Sequence, residues 1–223
     1  MRRKVIPELL DDDLGSPAEI AASLVDLRHI NNWFGGTNTT ATLIEQVAKR
    51  SGCGELSLLE VGAGKGDAPM RAGRSLHARG LRVGVTLLDR RWSHLPQNGT
   101  PSVAGDALAL PFRNGAFDVV SCSLFAHHLE AEELRGFVRE GLRVSRRAVL
   151  INDLIRSRLH LTLVYAGLPL FRSRLTWHDA PASVRRSYTC EEMREMMHDI
   201  PGAEVTISRH YLYRMGVVIW KVR

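Results

Sequence analysis

The stretch LLEVGAGKGD, residues 58–67, decides the fold. Its apolar run reads as the end of a buried strand, and Gly62, Gly64 and Gly66 alternate through the turn that follows. Three nucleotide- or nucleoside-binding loops look alike here. A triphosphate loop of the G-x-x-x-x-G-K-[ST] type fails, because Lys65 is followed by Gly66 and the position five before Gly64 is Leu59. The dinucleotide fingerprint G-x-G-x-x-G fits weakly, since Asp67 stands where its third glycine belongs. What remains is G-x-G-x-G, residues 62–66, with an acid, Glu60, inside the end of the strand. Glycines at this spacing let a ligand approach the backbone with no side chain between them.

Working outward, strands and helices alternate. Residues 81–89 (LRVGVTLLD), 102–105 (SVAG), 117–124 (FDVVSCSL) and 148–154 (AVLINDL) read as strands, and residues 69–79 and 131–144 as helices. That alternation predicts a doubly wound α/β sheet. Ser16-Pro17-Ala18-Glu19 is a capping box, so a helix is expected over 17–32, ended by Trp33-Phe34-Gly35-Gly36 and followed by a second over about 40–50. The pattern breaks at Ile155, where a long apolar and basic insert replaces a short connection. A second capping box, Thr189-Cys190-Glu191-Glu192, opens a helix that stops at Pro201-Gly202. Residues 203–211 and 215–222 then read as two closing strands, antiparallel neighbours.

On these residues the chain resembles the class I S-adenosylmethionine-dependent methyltransferases, whose first motif is an apolar strand, an acid and G-x-G-x-G. Asp89 ends the second strand, where an acid accepts from ribose hydroxyls in this family and in dinucleotide enzymes alike. Asp106, in Gly105-Asp106-Ala107, falls where the family keeps an acceptor for the adenine amino group, and Leu110-Pro111-Phe112 with residues 115–120 (GAFDVV) reproduces its entry to the fourth strand. The resemblance implies a Rossmann-like seven-stranded sheet with the last strand antiparallel. It implies S-adenosylmethionine as cofactor, bound by Glu60, Gly62, Ala63, Gly64, Gly66, Asp89, Arg90, Asp106, Ala107 and Ser123. One domain is expected: an N-terminal helical cap (1–51), a cofactor-binding core (52–154), a substrate-lid insert (155–188) and a C-terminal helix with a strand pair (189–223). The similarity extends to the small-molecule branch of ubiquinone and menaquinone biosynthesis. Through ELLDDD, DLRHINNWFGG, FAHHLE and INDLIRSRLHLTLVYAGLPLFRSRL it extends to a bacterial group linked to type III polyketide synthases.

Composition sets the outer limits. A chain of 223 residues with 44% hydrophobic and 24% charged residues builds one full core, so disorder and fibre are excluded. No run of eighteen apolar residues exists, and Met1-Arg2-Arg3-Lys4 leads into Glu8 and Asp11-Asp12-Asp13 rather than an apolar signal region, so a cytoplasmic location is expected. Cys53, Cys122 and Cys190 form no C-x-x-C pair and suggest neither a disulfide framework nor a zinc site. The net charge of +6 raises nucleic acid or an anionic membrane as partners. The excess is local: between Leu154 and Ser187 six arginines face one acid, Asp179.

The end of the fourth strand, residues 121–128 (SCSLFAHH), should face the transferred methyl group. The [DN]-P-P-[YF] clamp of amino-group methylases is absent there, leaving oxygen or activated carbon as acceptor. Such an acceptor loses a proton, which points to His128 first and His127 second as the base. The alternative is that one of them caps the following helix. Asn152-Asp153 matches part of the magnesium site of catechol-type enzymes, but Ser123 and Leu124 stand where a ligand acid is needed, so no metal is expected. Asp153 is assigned instead to a substrate hydroxyl or to Arg156. The insert's leucines, with Tyr165, Trp177 and flanking arginines, read as a lid over a hydrophobic acceptor, a peripheral membrane contact, or a helix packed on the sheet. Trp33 reads as a cofactor lid or as plain core. The chain is thus expected to methylate a hydroxyl or activated carbon of a hydrophobic phenolic, quinol or polyketide-like molecule, with no nucleic-acid partner. An RNA methyltransferase and a non-catalytic cofactor-binding scaffold are the alternatives.

Overall fold

A computed structural model describes residues 1–222. Seven strands, β1 (Glu55–Val61), β2 (Arg82–Asp89), β3 (Ser102–Ala104), β4 (Phe117–Ser123), β5 (Ser145–Leu154), β6 (Ala203–His210) and β7 (Arg214–Lys221), form one sheet in the order β3-β2-β1-β4-β5-β7-β6. β3, β2, β1, β4 and β5 pair in parallel, whereas β7 is antiparallel to both β5 and β6. The expected seven-stranded, doubly wound sheet is the observed one.

The continuous apolar run of β1 is explained by its two covered faces. Leu56 and Leu58 pack with Leu43, Ile44 and Val47 of α2 (Gly36–Ser51) and Leu76 of α3 (Asp67–His77). Leu59 and Val61, pointing the other way, pack with Leu134 and Phe137 of α4 (Ala131–Val144), in a cluster that also holds Met193 of α7 (Cys190–Met197). Burial on both faces is what makes a parallel strand read as unbroken hydrophobic sequence.

Two helices start earlier than their sequence suggests. α2 opens at Gly36 rather than near 40, and α3 at Asp67 rather than 69. In both cases the glycine before the helix, Gly35 (φ 78°) or Gly66 (φ 71°), takes the left-handed conformation and serves as the N-cap, so a residue that reads as a breaker is a start.

The remaining helices do not flank the sheet in this way. α1 (Pro17–Trp33), closed at its N-terminus by the predicted Ser16–Glu19 capping box, joins α5 (Arg158–Gly167) and α6 (Arg174–Arg186) in a cap at the carboxyl ends of the strands. Asp26 of α1 accepts the backbone N–H groups of Arg172 and Ser173 ahead of α6, and Ser23 meets Thr176 at 3.2 Å. The N-terminal residues strap this cap down. Arg3 donates to both oxygens of Glu130 and to the Arg186 carbonyl while lying over the Tyr188 ring, and Asp179 accepts the backbone N–H groups of Leu9 and Leu10. Among the described residues no helix is long and apolar enough to cross a membrane.

Candidate active site

A cavity of about 1310 Å³ opens at the carboxyl ends of β1, β2 and β4, roofed by α1, α5, α6 and the N-terminal strap. Ligand pockets usually span roughly 300–1,000 Å³, so this one has room for more than one small molecule.

One half is built on the glycine loop. Gly62, Gly64 and Gly66 all have positive φ, but for different reasons. A Cβ at Gly62 would fall 2.5 Å from Phe125 Cδ2 and one at Gly66 2.5 Å from Leu87 Cδ1, so the protein itself requires those two glycines. A Cβ at Gly64 would meet nothing within 4 Å. It would project into open space, so at this position of the cavity wall a ligand can approach the backbone closely. Asp89 accepts the Gly64 N–H at 2.9 Å and the Arg91 N–H at 3.0 Å, holding the loop against the end of β2. Asp106 braces its own turn through the Leu108 N–H and stays exposed beside buried Ala107. Glu60 is buried, and that burial pushes its carboxyl up to about 7 against the opposing hydrogen bonds of Ser121 and Ser123. Lys65 turns away to the carbonyls of Ser93 and Leu95. All ten residues assigned to the cofactor from sequence, including Ala63, Arg90 and Ser123, line this cavity.

The two histidines after β4 also line it, in a state the sequence does not disclose. His127 is buried, its Nδ1 2.7 Å from one oxygen of Asp153 while its backbone N–H donates to the other. Its Nε2 lies 3.3 Å from Glu8 of the strap, without a well-aligned hydrogen bond. Burial disfavours the charged ring, yet Asp153 and then Glu8 outweigh it and raise the pKa to about 10. Glu8, for which burial is likewise outweighed by His127, falls to about 2, and Asp153 is also lowered. His127 is therefore an imidazolium between two carboxylates, an ion triad rather than a base at neutral pH. His128 faces Asp11 through Nδ1 at 2.9 Å and Glu8 through Nε2 at 3.9 Å, and its carbonyl accepts from Arg186. Glu8, His127 and His128 bring ligand atoms within 4.8 Å of one another; a divalent ion there would have to displace the proton on His127.

The residues assigned to substrate sit elsewhere. Asp153 serves His127 and not Arg156; Arg156 is bound by Glu192 and the carbonyls of Met1 and Ser187. Tyr165 is half exposed on α5, with Arg185 5.5 Å above its ring. Trp33 is 54% exposed and stacks on His29, so it is neither lid nor core. None of the four lines the cavity. The wall they were expected to form comes instead from Leu24, Leu27 and Phe34 at α1 and from Leu163, Val164 and Phe171 of the insert. Among the polar wall residues that escaped the sequence reading are Glu8, His160 and Arg214. The only signals were a lone histidine in LHLTLV and a lone arginine at the head of the apolar run of β7.

A methyltransferase-domain family model matches residues 59–151, the span from β1 to β5 that carries the glycine loop, Asp89 and Asp106. Residues 59–151 thus carry a methyltransferase domain of the S-adenosylmethionine-dependent kind. Solved structures share its fold. The plantazolicin methyltransferase BpumL, solved with SAH and a triazolic desmethylPZN analogue, is 14% identical with a TM-score of 0.71, over 97% of this chain and 95% of that one. Magnesium protoporphyrin IX methyltransferase from Synechocystis PCC 6803, with bound SAH, is 14% identical with a TM-score of 0.55, over 84% and 83%. A methyltransferase from Aquifex aeolicus is 18% identical with a TM-score of 0.54, over 80% and 89%. No curated protein sequence matches the chain. The residues present suit the cofactor: the bare Gly64, an acid at the end of β2 and an exposed acid after β3 stand along one wall of the methyltransferase's cavity. When bound there it supplies an already activated methyl group, which leaves the protein the work of positioning an acceptor and managing its proton.

Proposed function

We propose that this methyltransferase acts on a hydroxyl, or an activated carbon, of a hydrophobic phenolic, quinol or polyketide-like small molecule. The observation that carries the reading is the apolar wall described above, which continues the cofactor half of the cavity under a cap closed by α1, α5 and α6. A mostly apolar chamber with a few polar groups suits a small greasy acceptor. The basic insert does not favour RNA. Arg156 is committed to Glu192, Arg174 to Glu19, and Arg186 to the His128 carbonyl, so these cations hold the cap rather than face a phosphate backbone. The structural neighbours act on plantazolicin and on magnesium protoporphyrin IX, so the fold does not choose the acceptor. The deciding experiment is transfer of labelled methyl from S-adenosylmethionine to a panel of alkylphenols, resorcinols and quinols, with total RNA in parallel. Label in the organic phase is the expected result. Label confined to RNA refutes the assignment.

A further inference from the structure

His127 is held as a cation and His128 is engaged by Asp11 at Nδ1 and by Arg186 at its carbonyl, which turns attention to the other histidines around the cavity as takers of an acceptor's proton. One histidine on the cavity wall differs from these two. His160, in the first turn of α5, brings Nδ1 to 2.9 Å from the Ile155 carbonyl. A carbonyl oxygen only accepts, so Nδ1 carries the hydrogen and the lone pair sits on Nε2. Among the described residues Nε2 makes no hydrogen bond to the protein. Burial lowers the pKa of the ring; the Ile155 carbonyl works the other way, and the charge of Arg214 lowers it again, which keeps the imidazole neutral.

Arg214 is the second half of the pair. It also lines the cavity, is fully buried, and has no carboxylate within ion-pair distance. Its Nε donates to the Phe34 carbonyl at 3.3 Å and its Nη2 to Asn31 at 3.1 Å, while Nη1 is buried without a partner. Burial pulls its pKa down to about 10 against the opposing charge of Asp153, so it stays a cation at neutral pH. A buried guanidinium with a spare N–H and no direct ion pair is costly unless an anion meets it. Leu212 (φ 49°) and Tyr213 (φ 60°) are both left-handed, as the tight β6–β7 hairpin turn requires, and this turn sets the corner: Tyr213 stacks on the His160 ring at 5.0 Å, and its carbonyl accepts the Ile155 N–H.

We propose that His160 is the base that takes the acceptor's hydroxyl proton and that Arg214 holds the oxyanion so formed. The inference rests on the proposed acceptor class and narrows it to phenols or enols acidic enough to ionise between these two groups. The acceptor's O–H bond breaks and its proton passes to His160 Nε2. The oxygen lone pair forms the new O–CH3 bond, and the electrons of the S–CH3 bond remain on sulfur. His160 then returns the proton to solvent.

The test uses His160→Asn, which keeps an N–H donor for the Ile155 carbonyl and removes the lone pair. With an alkyl-substituted 2-nitrophenol and no cofactor, visible absorbance reads whether the bound molecule is ionised. Wild type is expected to bind it as nitrophenolate at a pH where the free compound is neutral, and His160→Asn to bind it neutral. In turnover, general-base catalysis is worth about 10²–10⁴-fold, so the variant should lose at least about 10²-fold in kcat on an unactivated alkylphenol. It should regain most of that on a nitrophenol ionised at the assay pH. A melting curve matching wild type and unchanged S-adenosylmethionine affinity by calorimetry exclude misfolding. Should the asparagine variant melt early, His160→Gln replaces it under the same readings. Equal kcat on the alkylphenol and equal ionisation of the nitrophenol in wild type and variant overturn the role of His160. A wild type that ionises the bound nitrophenol but methylates no phenol sustains the pair and instead overturns the acceptor class proposed above.

Discussion

Replacing Gly64 by alanine separates the part of the glycine loop kept for the cofactor from the parts kept for the fold. Its φ of 50° is left-handed, and forcing an L-residue there costs roughly 1–2 kcal/mol. Nothing lies within 4 Å of the added Cβ, so no clash term follows. For a chain of this size about 1 kcal/mol lowers Tm by roughly 2–4 °C, which sets a fall of about 2–8 °C. The methyl group nevertheless projects into the space assigned to the cofactor, and a loss of at least about tenfold in S-adenosylmethionine affinity, about 1.4 kcal/mol, is expected. Gly62→Ala is the contrast. There the new Cβ lies 2.5 Å from Phe125, and strain with overpacking together cost roughly 2–5 kcal/mol, so its Tm should fall further than that of Gly64→Ala. Scanning calorimetry and titration of the two variants with S-adenosylmethionine and SAH measure both quantities. Wild-type affinity in Gly64→Ala would refute the placement of the cofactor over this loop.

Two further outcomes follow from the same geometry. The raised pKa of His127 contributes stability that is whole below about pH 6.5 and disappears as pH climbs toward 10, whereas the lowered pKa of Glu8 contributes above about 4.5 and is lost as pH falls toward 2. His127→Gln, which strands two buried carboxylates, should therefore lose about 3–5 kcal/mol near pH 6 and much less near pH 10. Denaturant titrations across that range check it, and wild-type and variant curves that stay parallel would show that the ring is not charged. Trp33→Ala should change stability by no more than about 0.5 kcal/mol, as an exposed side chain does, and leave cofactor affinity within about twofold. A tenfold weaker binding would restore Trp33 as a lid.

What could be read from the sequence was what short-range physics writes into it. The strand of residues 56–61, its glycine loop, Asp89 and Asp106 are each specified by neighbours a few positions away, and all fall where local patterning puts them. The histidine pair was visible too, but its protonation was not. That depends on Asp153 and on Glu8, residues on β5 and in the strap, which only the folded chain brings together. Asp153 misleads for the same reason, since an acid at the end of β5 looks free until His127 arrives. His160 and Arg214 carry no motif. One is defined by which ring nitrogen meets a carbonyl and the other by a buried N–H left without a partner, and neither condition leaves a trace in spacing.

β7 lies between β5 and β6 although it follows both along the chain. During synthesis β5 therefore waits with an unpaired edge from the time Leu154 is made until Lys221 is, about 3–13 s at roughly 5–20 residues per second. The strap waits as well. Arg3, Lys4 and Leu9 are made well before their partners Arg186, Arg185 and Asp179, which come more than 160 positions later. The sheet and the chamber beside it are thus completed in the same late step, because β7 begins with the buried arginine of the cavity wall. A chain stalled before residue 214 carries an open sheet edge, which invites pairing with a neighbour, and lacks one of the cavity's charged groups.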